Sequence, residues 1–113
     1  MTLVSSETDY LYKIQPTRPE MLTDGLTEEE QRLVQQHFEY LCRLADEGVV
    51  LLAGRTQNPD PTGFGIVIFR SASPEDARGI MEADPAVRGG VFRAELYPYS
   101  IAIVGALGDE SPS

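Results

Sequence analysis

From residue 10 to residue 99 the spacing of apolar residues changes in a set order, and that order restricts the folds open to this chain more than any other feature. Tyr10, Tyr12 and Ile14 alternate with Leu11 and Lys13 up to Pro16, the period-two pattern of a half-buried strand. Residues 16–26, with Pro16, Pro19, Asp24 and Gly25, read as a loop. Thr27-Glu28-Glu29-Glu30 then offers a capping box, and Val34, Phe38, Leu41, Leu44 and Ala45 recur at helical spacing, predicting a helix to about Glu47. Gly48 supplies the left-handed position at which a helix ends cheaply. Residues 49–53 are apolar without interruption, so a strand covered on both faces is predicted there, followed by a turn-rich loop over 54–63 and a strand over 64–70. Ser73-Pro74-Glu75-Asp76 caps a second helix predicted from Pro74 to about Ala83, with Ala77, Ile80 and Met81 inward and Asp84-Pro85 as its stop. Residues 91–99 alternate as a fourth strand, and residues 101–104 read as a short fifth strand or edge extension after Pro98.

The order β-α-β-β-α-β folds as an α+β, ferredoxin-like unit: a four-stranded antiparallel sheet with both helices on one face. A sheet of this size cannot cover its other face alone. Face-to-face pairing of two copies is therefore the expectation, a homodimer with closed two-fold symmetry. At 113 residues there is room for one domain, placed at 9–105, with residues 1–8 and the acidic stretch 106–113 read as tails whose truncation costs little.

Composition removes several function classes. Eighteen acidic against nine basic residues give a formal charge of −9, which repels a phosphate backbone, so nucleic acid is not an expected partner. The longest apolar run, 49–53, falls far short of the roughly 20 residues of a membrane helix, so no membrane partner is expected. Residues 1–9 lack the basic-then-apolar order of a secretory signal, making the cytoplasm the expected location. One cysteine and one histidine make neither an internal disulfide nor a zinc cluster. No Gly-rich loop ends in Lys-Ser or Lys-Thr, and Lys13, the only lysine, sits in a strand where Schiff-base chemistry is a weak reading.

His37 lies about 40° from Leu41 on the helical wheel, inside the apolar stripe, and so points at the sheet. Two readings stay open: a satisfied core imidazole, or a general acid–base whose partner is a carboxylate. Asp84 is the candidate partner, and equally an N-cap for a helical turn over 85–88; the two roles are compatible. Arg55, just past the second strand, reads either as a solvated loop arginine or as a ligand for a carboxylate or phenolate. Tyr12, Tyr97 and Tyr99 suit an aromatic-accepting pocket or a dimer interface. Cys42 reads as a marginally buried small hydrophobe, and Arg93 and Glu95 share a sheet face open to a polar pocket or inter-subunit pairing.

The segment from His37 to Gly54, with its helix histidine, Asp46-Glu47-Gly48 helix end and strand closing in Ala53-Gly54, resembles the YciI-like (YCII-related) family. So do Ser73-Pro74-Glu75-Asp76-Ala77, Glu82-Ala83-Asp84-Pro85 and Gly90-Val91-Phe92, in the same order, so that the resemblance spans roughly residues 9–100. It implies a dimeric α+β barrel whose His-Asp pair corresponds to His37 and Asp84; one branch of the family eliminates chloride from a hydroxyquinone-type ring. The chain departs from the pattern at Ala86, where a large aromatic is usual after Asp-Pro, and at Arg55, where a proline is usual, which implies a wider and more cationic pocket. The expectation is a small cofactor-independent enzyme of lyase or isomerase type, acting on a small cyclic or aromatic substrate with His37 and Asp84 as catalytic pair and Arg55, Tyr12 and Tyr97 as substrate contacts. The alternative is a non-catalytic homodimeric module binding a small ligand or a protein. A third reading makes His37 an axial haem ligand.

Overall fold

The computed structural model describes residues 8–105. The two tails expected at 1–8 and 106–113 therefore lie outside the described residues, save for Thr8. Eight elements follow in order: β1 (Thr8–Pro16), α1 (Glu20–Thr23), α2 (Glu28–Asp46), β2 (Val50–Arg55), β3 (Gly65–Ser71), α3 (Pro74–Glu82), α4 (Pro85–Arg88) and β4 (Phe92–Tyr99). The strands form one antiparallel sheet in the order β2-β3-β1-β4, the ferredoxin-like α+β arrangement.

Local chemistry accounts for most element ends. The Thr27 hydroxyl accepts from the Glu30 amide at 3.1 Å while the Glu30 carboxylate accepts from the Thr27 amide at 2.9 Å, so both halves of the capping box are made. Three glutamates fill the first turn of α2, where the positive end of the helix dipole favours them. Gly48 follows α2 with φ +81, a left-handed conformation that costs a Cβ-bearing residue strain. Ser73 caps α3 through the Asp76 amide, with Pro74 at the first helical position. Asp84 caps α4 by accepting from the Ala86 amide at 3.0 Å, the N-cap role read from Asp-Pro.

The core lies between the sheet and the helices. Tyr10, Tyr12 and Ile14 of β1 face the helices; Val67 and Phe69 of β3 share that face through the pairs Tyr12↔Val67 and Tyr10↔Phe69. Leu41 and Leu44 of α2 with Ala77 and Met81 of α3 close over them. Tyr12 and Phe69 meet edge to face at 5.7 Å between ring centres, an arrangement that adds to the stabilisation from burying their area. A smaller cluster of Met21, Ala86 and Val91 joins α1, α4 and the start of β4.

Four details depart from the expectations. The loop over 16–26 contains α1, because Met21 has a pocket against Ala86 and Val91 and Arg18 is tied to Glu30 of α2 at 2.7 Å. The apolar strand over 49–53 is not covered on both faces within one chain: β2 is an outer strand, and Leu51 and Leu52 are 38% and 44% exposed. Residues 101–104 form no strand, because β4 has reached the start of β1 at Asp9↔Tyr99 and the chain beyond has no ladder to join. Phe38, Cys42 and Ala45 are exposed rather than inward, because that flank of α2 lies beside the edge strand β2 and not over the core. Their flank is left to form one wall of a groove.

The capping box is testable in isolation. Thr27→Ala removes the acceptor for the Glu30 amide and is expected to cost about 1 kcal/mol of unfolding free energy, measured by urea denaturation, with Thr27→Ser close to wild type.

Candidate active site

His37 sits midway along α2 on the flank that meets the core, and Asp84 sits at the junction of α3 and α4, 47 residues away in sequence. The fold brings them into direct contact. The Nδ1 of His37 lies 2.9 Å from Oδ1 and 2.7 Å from Oδ2 of Asp84. A carboxylate offers only acceptors, so Nδ1–H donates and the neutral imidazole keeps its lone pair on Nε2. Two aromatic edges hold the ring in place: Phe38 at 5.4 Å and Phe92 at 5.5 Å between ring centres.

Asp84 is wholly buried. Besides His37 and the Ala86 amide it accepts from the Tyr12 hydroxyl at 2.7 Å, so α2, α4 and β1 each send one donor to a single carboxylate. A buried anion without such donors would cost several kcal/mol. Tyr12 is itself fully buried, and its phenol is pushed well above the ordinary range, first by burial and then by the charge of Asp84. Tyr40, whose hydroxyl donates to the Ile80 carbonyl at 2.6 Å, is raised for the same two reasons.

The far nitrogen of His37 faces a groove. Nε2 has no protein partner, yet among the described residues no buried side-chain nitrogen or oxygen lacks one, so Nε2 reaches the groove surface. The groove has a volume of about 850 Å³ and runs between the outer flank of α2, the edge strand β2, the loop after it and the ends of β1 and β4. Phe38, Cys42 and Ala45 form one wall, Leu51 to Arg55 the other, with Met21 and Leu22 at one end. Proton exchange at Nε2 with a bound molecule is the chemistry this arrangement supports. Among the described residues no three His, Cys, Asp or Glu side chains are grouped to hold a metal ion.

The other residues singled out in the sequence fall in different places. Arg55 lines the groove at the end of β2. Tyr12 does not line it but lies beneath Asp84, and Tyr97 is on the opposite face of the sheet, since it pairs with Leu11 rather than with an even-numbered residue of β1. The shared parity of Tyr12 with Tyr10 and Ile14 places the three on one face of β1; only the strand register separates Tyr12 from Tyr97. Ala86 is buried in the small cluster and is not among the residues that line the groove. Arg93 is engaged by Gln15 at 2.9 Å, and Glu95 stands opposite Lys13 on the open face. The contribution of α1 to the groove carries no periodic signal, since one helical turn is too short to show one.

Tyr12 has a pH signature. Its folded-state pKa is raised above the ordinary 10.0, so above that pH the unfolded chain releases a proton the native protein retains; this contribution is whole below about pH 10 and is lost as pH rises past it. Tyr12→Phe is expected to cost about 1 to 3 kcal/mol at pH 7, because Asp84 loses a donor, and to flatten the decline in stability between about pH 9 and 11 measured by denaturant titration.

The fold has counterparts among known proteins. No curated protein matches the chain at a significant level. Among solved structures, 5-chloro-2-hydroxyhydroquinone dehydrochlorinase from Burkholderia phenoliruptrix AC1100, in complex with 2,5-dihydroxybenzoquinone, superimposes with a TM-score of 0.59 at 19% identity, covering 82% of this chain and 95% of that one. An uncharacterized protein from Thermotoga maritima gives a TM-score of 0.52 at 12% identity, covering 83% of this chain and 99% of that one. At such identities the likeness speaks for the fold alone. The YCII-related domain matches residues 10–99, from the first core strand to the end of the last and across both His37 and Asp84, so the chain belongs to the YCII-related family.

Proposed function

We propose that this protein is a small acid–base enzyme of lyase or isomerase type, in which His37 Nε2 exchanges a proton with a small cyclic or aromatic substrate lying in the groove. The observation that carries the reading is the oriented imidazole: Nδ1 is committed to a fully buried carboxylate while Nε2 is left without a protein partner at the wall of an apolar groove. Asp84 fixes the tautomer and stabilises the imidazolium that forms when Nε2 takes a proton. Such a step asks for no cofactor. The dehydrochlorinase of the same fold, held with a dihydroxybenzoquinone, supports a substrate of that size and shape.

Two copies are proposed to pair through the sheet face away from the helices, where Leu52 and Tyr97 are exposed and stand beside half-buried Leu11 and Ile66 and buried Ile68. A closed two-fold dimer covers that surface with itself. Among the described residues no helix is long and apolar enough to cross a membrane, and a cytoplasmic dimer is the setting we propose.

A second reading, a homodimeric module that binds a small ligand or a protein without turnover, draws on the exposed Leu22, Phe38 and Phe64 at the groove rim. Nitrogen-15 NMR of His37 separates the two. The enzyme reading expects Nδ1 protonated and Nε2 bare in the wild type, with that preference lost in Asp84→Asn. His37→Ala is then expected to lower turnover of a substrate found by screening by roughly 10² to 10⁴ while circular dichroism stays native. A wild-type His37 protonated on Nε2, or turnover indifferent to His37→Ala, would falsify it.

The dimer is checked by light scattering after size exclusion. Leu52→Asp, at an exposed position on the open face, is expected to give a folded monomer; an unchanged dimer would place the interface elsewhere.

A further inference from the structure

Arg55 stands out among the charged side chains. Arg18 pairs with Glu30, Arg32 with Glu29, Arg70 with Asp9 and Arg78 with Glu82, Arg93 is engaged by Gln15, and Arg43 and Lys13 lie over aromatic rings. Arg88 sits in the last turn of α4, where the helix end favours a cation, and does not line the groove. Arg55 has no hydrogen-bond or ion-pair partner among the described residues, although acidic side chains outnumber basic ones two to one in the chain. It lines the same groove as His37. Asp60 also lines the groove but makes no ion pair with Arg55; its Oδ1 is held within its own loop, accepting from Asn58 at 2.8 Å, from the Thr62 amide at 2.9 Å and from the Thr62 hydroxyl.

Arg55 pairs with Gly65, which carries no side chain, and a Cβ there would press on Ile14 at 3.0 Å. An arginine in β2 thus borders the groove beside a bare glycine. The rest of the wall is mainly carbon: Phe38, Leu41, Leu51, Ile14 and Phe92. An apolar cleft with one unpaired cation and one imidazole lone pair suits an apolar molecule bearing a single anionic group.

We infer that the groove selects apolar monoanions, aromatic carboxylates or acidic phenols, with Arg55 as the residue that recognises the anionic group. This rests on the acid–base reading only for what happens after binding. Arg55 holds the anion by a planar, two-pronged contact while the ring lies against Phe38 and Leu51. In a protein of charge −9 the long-range field repels anions, so the attraction has to be local.

The test is equilibrium binding, which needs no turnover. 2-Naphthoate and its neutral isostere 2-naphthamide are titrated into the protein and followed by chemical-shift changes of groove residues. Wild type is expected to bind naphthoate more tightly than naphthamide, Arg55→Gln to weaken naphthoate about five- to tenfold without changing naphthamide, and Arg55→Lys to recover part of the loss. Equal affinity for the two probes, no binding of either, or naphthoate binding unchanged in Arg55→Gln overturns the inference. His37→Asn keeps Arg55 and is expected to retain the anion preference; turnover lost there with the preference intact supports both readings, while the preference persisting in a protein without turnover leaves this inference standing and removes the enzymatic one.

Discussion

A carboxylate removed from water must find donors inside the protein, and Asp84 finds one in each of three elements. The Ala86 amide comes from the turn that Asp84 itself begins, the Tyr12 hydroxyl from the inner strand beside β4, and Nδ1–H of His37 from the long helix. None of the three is local to another. The carboxylate is fully satisfied only when α2, α4 and β1 sit in their native places, so loss of one donor leaves a buried acceptor short, a cost of about 1 to 3 kcal/mol in a marginally stable domain. The same geometry that makes Asp84 tolerable inside the protein orients the imidazole and leaves Nε2 to the groove. Structural and chemical demands on the pair thus coincide.

The groove exists because one apolar flank of α2 is left off the sheet. The apolar stripe of α2 runs from Val34 through Ala45, but the sheet takes only the flank with His37, Leu41 and Leu44. The flank with Phe38, Cys42 and Ala45 lies beside β2, an outer strand whose Leu51 is likewise exposed. Two apolar surfaces that fail to close on each other leave a cleft with mainly carbon walls, with His37 and Arg55 set among them.

Much of the candidate site is legible in the amino-acid sequence. The pairing of His37 with Asp84 follows from the position of the histidine within an apolar stripe, the Asp-Pro turn and the family resemblance together. The role of Tyr12 beneath Asp84 does not, although its parity with Tyr10 and Ile14 is visible, because parity tells which residues share a face and not which face meets the helices. Tyr97 belongs to the other face of the sheet for a reason no local pattern carries: the register Leu11↔Tyr97 is set by packing across strands far apart in sequence.

What the sequence by itself determined is the kind, order and ends of most elements, because helix caps, glycine turns and the spacing of apolar residues act over a few positions and are written in neighbouring letters. The capping box at Thr27, the turn at Gly48 and the Asp84 cap are of this kind. Only the tertiary structure decided that β2 lies at an edge, that residues 101–104 have no strand to join, that a single turn at Met21 plugs the end of the groove, and that Arg55 is left without a partner among the described residues. Each of these depends on which distant segments meet, and that is settled by packing, donor satisfaction and strand register acting together across the chain.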